Sequence, residues 1–234
     1  MRDDVGKEVV MLPWPVMFLP AWMIHLWSAS QHRVVLQHAT KPMLLLLLIA
    51  WYLQGSPAPR PVVVTALVCG LAGDVLLMLP ECLKRGQTPL FLAGLGAFLA
   101  GHLAYVAAFL SLTKFPSLPP LWLLAPMLLP VVAGLLIYRR IRTHASEPRP
   151  ALVGYICVIV GMNGAAMLAA WSNPGMFALL PVAGALLFLV SDSALSLTRY
   201  GVRAFTDTFV MATYGLAQAL LTCWFILMDG GRLL

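Results

Sequence analysis

Eight runs of mostly apolar residues, each about twenty long, follow one another through the chain with only short gaps between them. They fall at about 12–30, 36–53, 62–80, 91–112, 121–138, 151–170, 176–197 and 207–227. A helix needs roughly 20 apolar residues to cross the ~30 Å hydrocarbon core of a bilayer. In lipid the backbone must satisfy its own hydrogen bonds, which leaves the helix as the element for such runs. The expected fold is therefore all-α: a single domain, residues 1–234, built as a polytopic bundle of eight transmembrane helices. Composition agrees, with 61% hydrophobic and 10% charged residues, against about 25% charged in soluble domains. A soluble enzyme, a nucleic-acid binder and a disulfide-stapled secreted domain are excluded.

The gaps are strong helix breaks: Gly55-Ser56-Pro57-Ala58-Pro59, Lys84-Arg85-Gly86, Pro116 to Pro120, the basic stretch Arg139 to Pro150, and Asn173-Pro174-Gly175. None is long enough for a second domain, so any site must lie among the helices. Pro13, Pro15 and Pro20 interrupt the first run, and an acidic leader precedes it, which argues against a cleaved signal peptide. The stretch Pro42 to Leu53 is too short to cross alone, so the second helix is expected to begin near Leu36 and carry Lys41 into the membrane.

The net charge of +6 reads as topology and contact with lipid headgroups. Nine basic residues fall in the odd-numbered loops, and five in the even-numbered loops and tails. The positive-inside rule then places the odd loops in the cytoplasm and both termini on the other side. This reads as a multi-pass protein of a bacterial inner membrane or the endoplasmic reticulum. Cys69, Cys82, Cys157 and Cys223 lack metal-ligand spacing and carry no redox role. Trp14, Trp22, Trp27, Trp51 and Trp122 read as interfacial anchors.

Of nine acids, only Asp74 and Asp192 fall well inside apolar runs. An ionisable group at the centre of a spanning helix costs roughly 2.5–3.5 kcal/mol, so both need a reason. Asp74 precedes the odd-loop end of its span by six residues and Asp192 precedes Thr198 by six, or about 9 Å of depth at 1.5 Å per residue. Tyr214 lies about 10 Å from that face, His102 and Gln218 about 16 Å, and Lys41 roughly 7 Å. These residues come from several helices yet share one half of the membrane, which predicts a polar cavity open toward the odd-loop side. Gly94, Phe98, Gly101, His102 and Tyr105 recur on one helical face. Gly70 and Gly73 let a neighbouring helix approach Asp74. The strings at 73–78 and 191–196, four spans apart, suggest a 4+4 repeat with one aspartate from each half.

Lys41-Pro42, Gly73-Asp74 with Leu76 and Leu77, Gly101-His102 with Tyr105, Tyr155, Phe188 with Ser191-Asp192 and Leu195, and Tyr214 with Ala217-Gln218 appear in that order. This ordered set resembles the lysoplasmalogenase, or YhhN, family of eight-span membrane proteins. The resemblance runs from Lys41 to Gln218, about three quarters of the chain. It implies hydrolysis of the vinyl-ether bond of 1-alkenyl lysophospholipids, giving a fatty aldehyde and glycerophosphocholine or glycerophosphoethanolamine. The implied partners are a lysophospholipid substrate and membrane lipids, without nucleic acid, metal or cofactor.

The chemistry suits two carboxyls. Cleavage begins by protonating the β-carbon of the vinyl ether, which leaves an oxocarbenium ion that water attacks. An acid that holds its proton near neutral pH and a negative group beside the cation are both needed, as in other two-carboxyl sites. Asp74 and Asp192 are the expected catalytic pair, with acid and base unassigned. His102, Tyr105, Tyr214 and Gln218 are expected to position water and the ether oxygen, and Lys41 and Arg199 to hold the headgroup phosphate.

Plainer readings exist for each. Two aspartates can form a polar clamp between helices, although such bonds average only ~0.6 kcal/mol. Lys41 can snorkel to the interface, Arg199 can report topology, and Tyr155 and Asn163 read as packing residues. The rival from another class is a small proton-coupled transporter using the same aspartates. An intramembrane aspartyl protease would show Gly-x-Gly-Asp, but Ala72 stands before Gly73-Asp74 and Val190-Ser191 before Asp192. A zinc hydrolase needs about three protein ligands, and only His102 is both deep and near the aspartates.

Overall fold

A computed structural model describes residues 14–83, 88–114, 121–144, 149–202 and 205–230. The acidic leader, Lys84, Arg85, Pro116 to Pro120, Glu147, Arg203 and Arg232 lie outside the described residues. Eight helices occupy the rest: α1 (Trp14–Ser30), α2 (Val34–Gly55), α3 (Pro61–Leu83), α4 (Thr88–Leu112), α5 (Leu121–Ile141), α6 (Arg149–Ser172), α7 (Leu179–Arg199) and α8 (Asp207–Met228). There is no strand among the described residues. Six helices, α2, α3, α4, α6, α7 and α8, are long and apolar enough to cross a membrane. The protein is thus a multi-pass, all-helical membrane protein.

Each expected run becomes a helix, with ends shifted by a few residues. Helix α2 starts at Val34 and passes through Pro42, which has no N–H to donate to the preceding turn. Lys41 is thereby carried into the bundle. Helix α7 starts at Leu179, three residues later than expected, after Asn173-Pro174-Gly175 turns the chain. Asn173 uses its side-chain amide to close two helix ends, donating to the carbonyls of Leu112 at 3.0 Å and Ala169 at 2.9 Å. Thr206 caps α8 by accepting the Phe209 N–H.

Helix α3 packs most extensively on α4, and α7 on α8; α6 bridges them by packing on both α4 and α7. Glycines set the closeness of these pairs. A Cβ at Gly101 would lie 3.2 Å from the backbone oxygen of Ala66, and one at Gly94 would lie 2.9 Å from the Leu77 side chain. Under the 4+4 repeat the α3/α4 and α7/α8 pairs correspond, whereas α1 packs on α8 and α5 on α7, which do not. Apolar side chains point outward as freely as inward: Leu46 is 54% and Leu103 51% exposed, as lipid-facing surfaces are. Two tryptophans depart from the anchor expectation. Trp51 is buried in the core, and Trp22 donates to the Met211 carbonyl of α8 at 3.2 Å. Trp27 remains exposed beneath the Arg33 guanidinium.

A third buried carboxylate, which the sequence did not reveal, lies at the even-loop end. Asp229, just past α8, has 1% of its side chain exposed and pairs with Arg60 Nε at 2.7 Å. Tyr52 and Ser56 both donate to its other oxygen, at 2.7 and 2.8 Å. This clamp ties the end of α8 to the α2–α3 connection. Asp229→Asn is expected to cost about 1–3 kcal/mol, because charge-assisted bonds are replaced by weaker ones or lost. Thermal unfolding in detergent measures this as a lowered midpoint.

Candidate functional site

Asp74 lies two turns before the described end of α3 and is 1% exposed. The Lys41 ammonium of α2 lies 3.1 Å from its Oδ1, and the Tyr214 hydroxyl of α8 donates to its Oδ2 at 3.0 Å. Behind Tyr214 the chain of bonds continues. Gln218 Nε2 reaches the Tyr214 hydroxyl at 3.4 Å, and Tyr105 of α4 donates to Gln218 Oε1 at 2.6 Å. A Cβ at Gly70 would come within 3.2 Å of Gln218 Nε2 and 3.3 Å of the Tyr214 hydroxyl. That glycine on α3 is what lets the α8 side chains come so close. At Gly73 a Cβ would strike the Phe98 ring at 2.8 Å.

Asp192 of α7 has a different set of neighbours. Tyr155 of α6 donates to its Oδ2 at 2.6 Å. His102 Nε2 of α4 stands 3.6 Å from the same oxygen. The imidazole is buried between rings, with Phe188 at 4.7 Å and Tyr155 at 5.8 Å between centroids. Its other nitrogen, Nδ1, lies 2.7 Å from the Phe98 carbonyl oxygen one turn earlier.

Two cavities meet at this point. One is polar, with about 890 Å³ of empty space, part of it open at the surface. His25, Gln37, His38, Lys41, Asp74, Asp192, Asp207 and Tyr214 contribute to its wall. The other is almost wholly apolar, with about 970 Å³ of similarly part-open space among α4, α5, α6 and α7. Leu92, Leu95, Ile137, Leu152, Ile156 and Leu189 line it. Leu77, Phe98, Asp192 and Leu195 line both. Asp192 is thus the carboxyl at the boundary between a polar and an apolar compartment.

This geometry sorts the residues that the sequence singled out. Lys41, Asp74, Asp192 and Tyr214 reach the polar cavity. His102, Tyr105 and Gln218 line neither of these two cavities; His102 stands beside Asp192, and Tyr105 and Gln218 stand behind Tyr214. Arg199 is not beside Lys41: two turns beyond Asp192 on α7, it borders the apolar cavity with its guanidinium 4.4 Å over the Phe91 ring. Tyr155, read from sequence as a packing residue, is a direct hydrogen-bond donor to Asp192.

His25 was set aside in the sequence as a histidine of the first run, away from the aspartates. It is 1% exposed and borders the polar cavity, with Nδ1 2.7 Å from the Thr40 hydroxyl and no hydrogen-bond partner at Nε2. A lone histidine in a proline-interrupted run carries no periodic signal that would have marked it. Among the described residues, no group of three His, Cys, Asp or Glu side chains lies close enough to hold a metal ion.

A sequence model of the YhhN family matches residues 36–223, which covers Lys41, both deep aspartates and Gln218. No curated protein and no solved structure matches the chain significantly. The match spans about four fifths of the sequence, so the chain belongs to the YhhN family.

Proposed function

We propose that the protein is a lysoplasmalogenase-type hydrolase that cleaves the vinyl ether of 1-alkenyl lysophospholipids, with Asp74 and Asp192 as its two catalytic carboxyls. The observation that carries this reading is the meeting of a polar and an apolar cavity at one carboxyl, Asp192. A lysophospholipid has one polar head, one chain and, in the 1-alkenyl form, its reactive bond where the two join. Headgroup in the polar cavity and chain in the apolar one bring that bond to Asp192.

The wall chemistry supports this pose. Lys41 spends one of its three N–H donors on Asp74, which leaves two for a phosphate. The exposed Asp207 carboxylate at the rim of the same cavity suits the ammonium of choline or ethanolamine. Arg199 and Phe91 stand at the apolar cavity, so Arg199 bounds the chain compartment on this reading. All eight helices cross the membrane in this arrangement, because exposed apolar side chains on α1 and α5, such as Leu19 and Leu136, at 55% each, need lipid contact.

Purified protein in detergent is expected to release aldehyde from a 1-alkenyl lysophospholipid and none from the saturated 1-alkyl analogue. A transporter using the same aspartates would release neither. The chain compartment has its own test. Ile137→Trp fills part of the apolar cavity, so it should raise KM for long-chain substrate by about tenfold or more, the scale of a few lost buried methylenes. Short-chain substrate should be affected much less. Equal loss on both chain lengths would remove the chain from that cavity.

A further inference from the structure

The two aspartates differ in the groups that face them. The Phe98 carbonyl oxygen can only accept, so His102 Nδ1, 2.7 Å away, carries a hydrogen. In the neutral ring Nε2 then bears a lone pair, and this nitrogen has no hydrogen-bond partner. It faces Asp192 Oδ2 at 3.6 Å. A lone pair set against an ionised carboxylate would be repulsive, and the Tyr155 hydroxyl that donates to the same oxygen brings no positive charge to offset it. One proton must therefore lie between the two groups. Among the surrounding aromatic rings, a neutral acid beside a neutral imidazole avoids the desolvation of an ion pair.

Asp74 is arranged the other way. Lys41 supplies a full positive charge, and the bonds from Tyr105 through Gln218 and Tyr214 all run donor-first toward it. Such a carboxylate is an acceptor and keeps its charge.

We infer that Asp192 holds the mobile proton as a carboxylic acid, with His102, whose Nε2 lone pair faces it from 3.6 Å, as the positioning residue, and that Asp74 stays ionised against Lys41. This assignment of roles rests on the hydrolase reading above; the placement of the proton does not. Asp192 is then the acid of the reaction. Its O–H bond breaks as the C–H bond forms at carbon 2 of the alkenyl chain, and its carboxylate balances the oxocarbenium charge on carbon 1. Water adds to carbon 1 and gives a proton back to Asp192. The hemiacetal hydroxyl proton then passes to the ether oxygen as the carbon 1–oxygen bond breaks, releasing aldehyde and the glycerol hydroxyl. One carboxyl completes the cycle, and the second remains a fixed charge.

Infrared difference spectroscopy on purified protein tests the placement without needing turnover. Wild type and Asp74→Asn should show a protonated-carboxyl C=O band that Asp192→Asn lacks. His102→Leu should keep the band but move it to higher frequency, as expected for an acid that loses the lone pair facing it, and should lower kcat with KM unchanged. His102→Gln, whose amide oxygen can accept, should recover part of both effects. The His102 shift identifies the band even if Asp192→Asn fails to fold. A band lost in Asp74→Asn, one indifferent to His102, or none in wild type overturns the assignment whatever the activity. Wild type that shows the band but releases no aldehyde supports the proton placement and overturns the hydrolase reading instead.

Discussion

Asp192→Asn is expected to lower aldehyde release by about 10²–10⁴, the usual contribution of a positioned general acid, while leaving thermal stability close to wild type. The two halves of this result have one cause. Asparagine matches a neutral carboxylic acid in size and can still accept the Tyr155 hydrogen bond that Oδ2 receives at 2.6 Å. It has no acidic proton to give to carbon. Single-turnover assays on detergent-purified protein give the rate, and thermal unfolding gives the stability. A variant with more than a tenth of wild-type turnover would remove Asp192 from the chemistry. A variant that unfolds many degrees earlier would show that a charged carboxylate had been lost.

Asp74→Asn should show the opposite balance. Here the substitution removes the charge that faces Lys41 at 3.1 Å. Breaking a fully buried pair costs about 3–5 kcal/mol. Lys41 retains 20% exposure of its side chain, so a loss of about 2–3 kcal/mol is expected. Turnover should fall as well, by about 10²–10³, the scale seen when one fixed electrostatic partner of a charged transition state is removed. The contrast is diagnostic: lowered stability with Asp74→Asn and near-normal stability with Asp192→Asn. Equal destabilisation by both would mean that both carboxylates are ionised.

Much of this was legible in the sequence, because lipid makes the code simple. Runs of about twenty apolar residues had few alternatives to helix, and the eight expected runs are the eight helices found. The depth argument also worked on local information alone. Rise per residue placed Lys41, Asp74, Asp192 and Tyr214 at one level, and the fold places all four around one cavity. Pro42 shows the same logic: the run after it was too short, so the helix had to pass through it, and it does.

What stayed hidden depends on how helices rotate and which ones meet. Whether His102 faces a ligand or another side chain is a question about the azimuth of α4 against α7, and no spacing within α4 settles it. Tyr155 reads as packing until α6 is set against α7. The Arg60–Asp229 clamp joins residues 169 positions apart, each of which looks like an ordinary loop charge by itself. His25 reaches the cavity only because α1 packs on α2 and α8. Arg199 was assigned by its charge near the membrane face, while its position over Phe91 depends on where the start of α4 lies.

The central claim is that cleavage begins with a proton delivered to carbon, and isotopic labelling tests it most directly. With a 1-alkenyl lysophospholipid hydrolysed in deuterium oxide, the fatty aldehyde should carry one deuterium at carbon 2. With ¹⁸O-water, the glycerol hydroxyl of the other product should remain unlabelled, because water attacks the alkenyl carbon. Aldehyde without deuterium, ¹⁸O in the glycerol product, or no aldehyde at all would contradict the account.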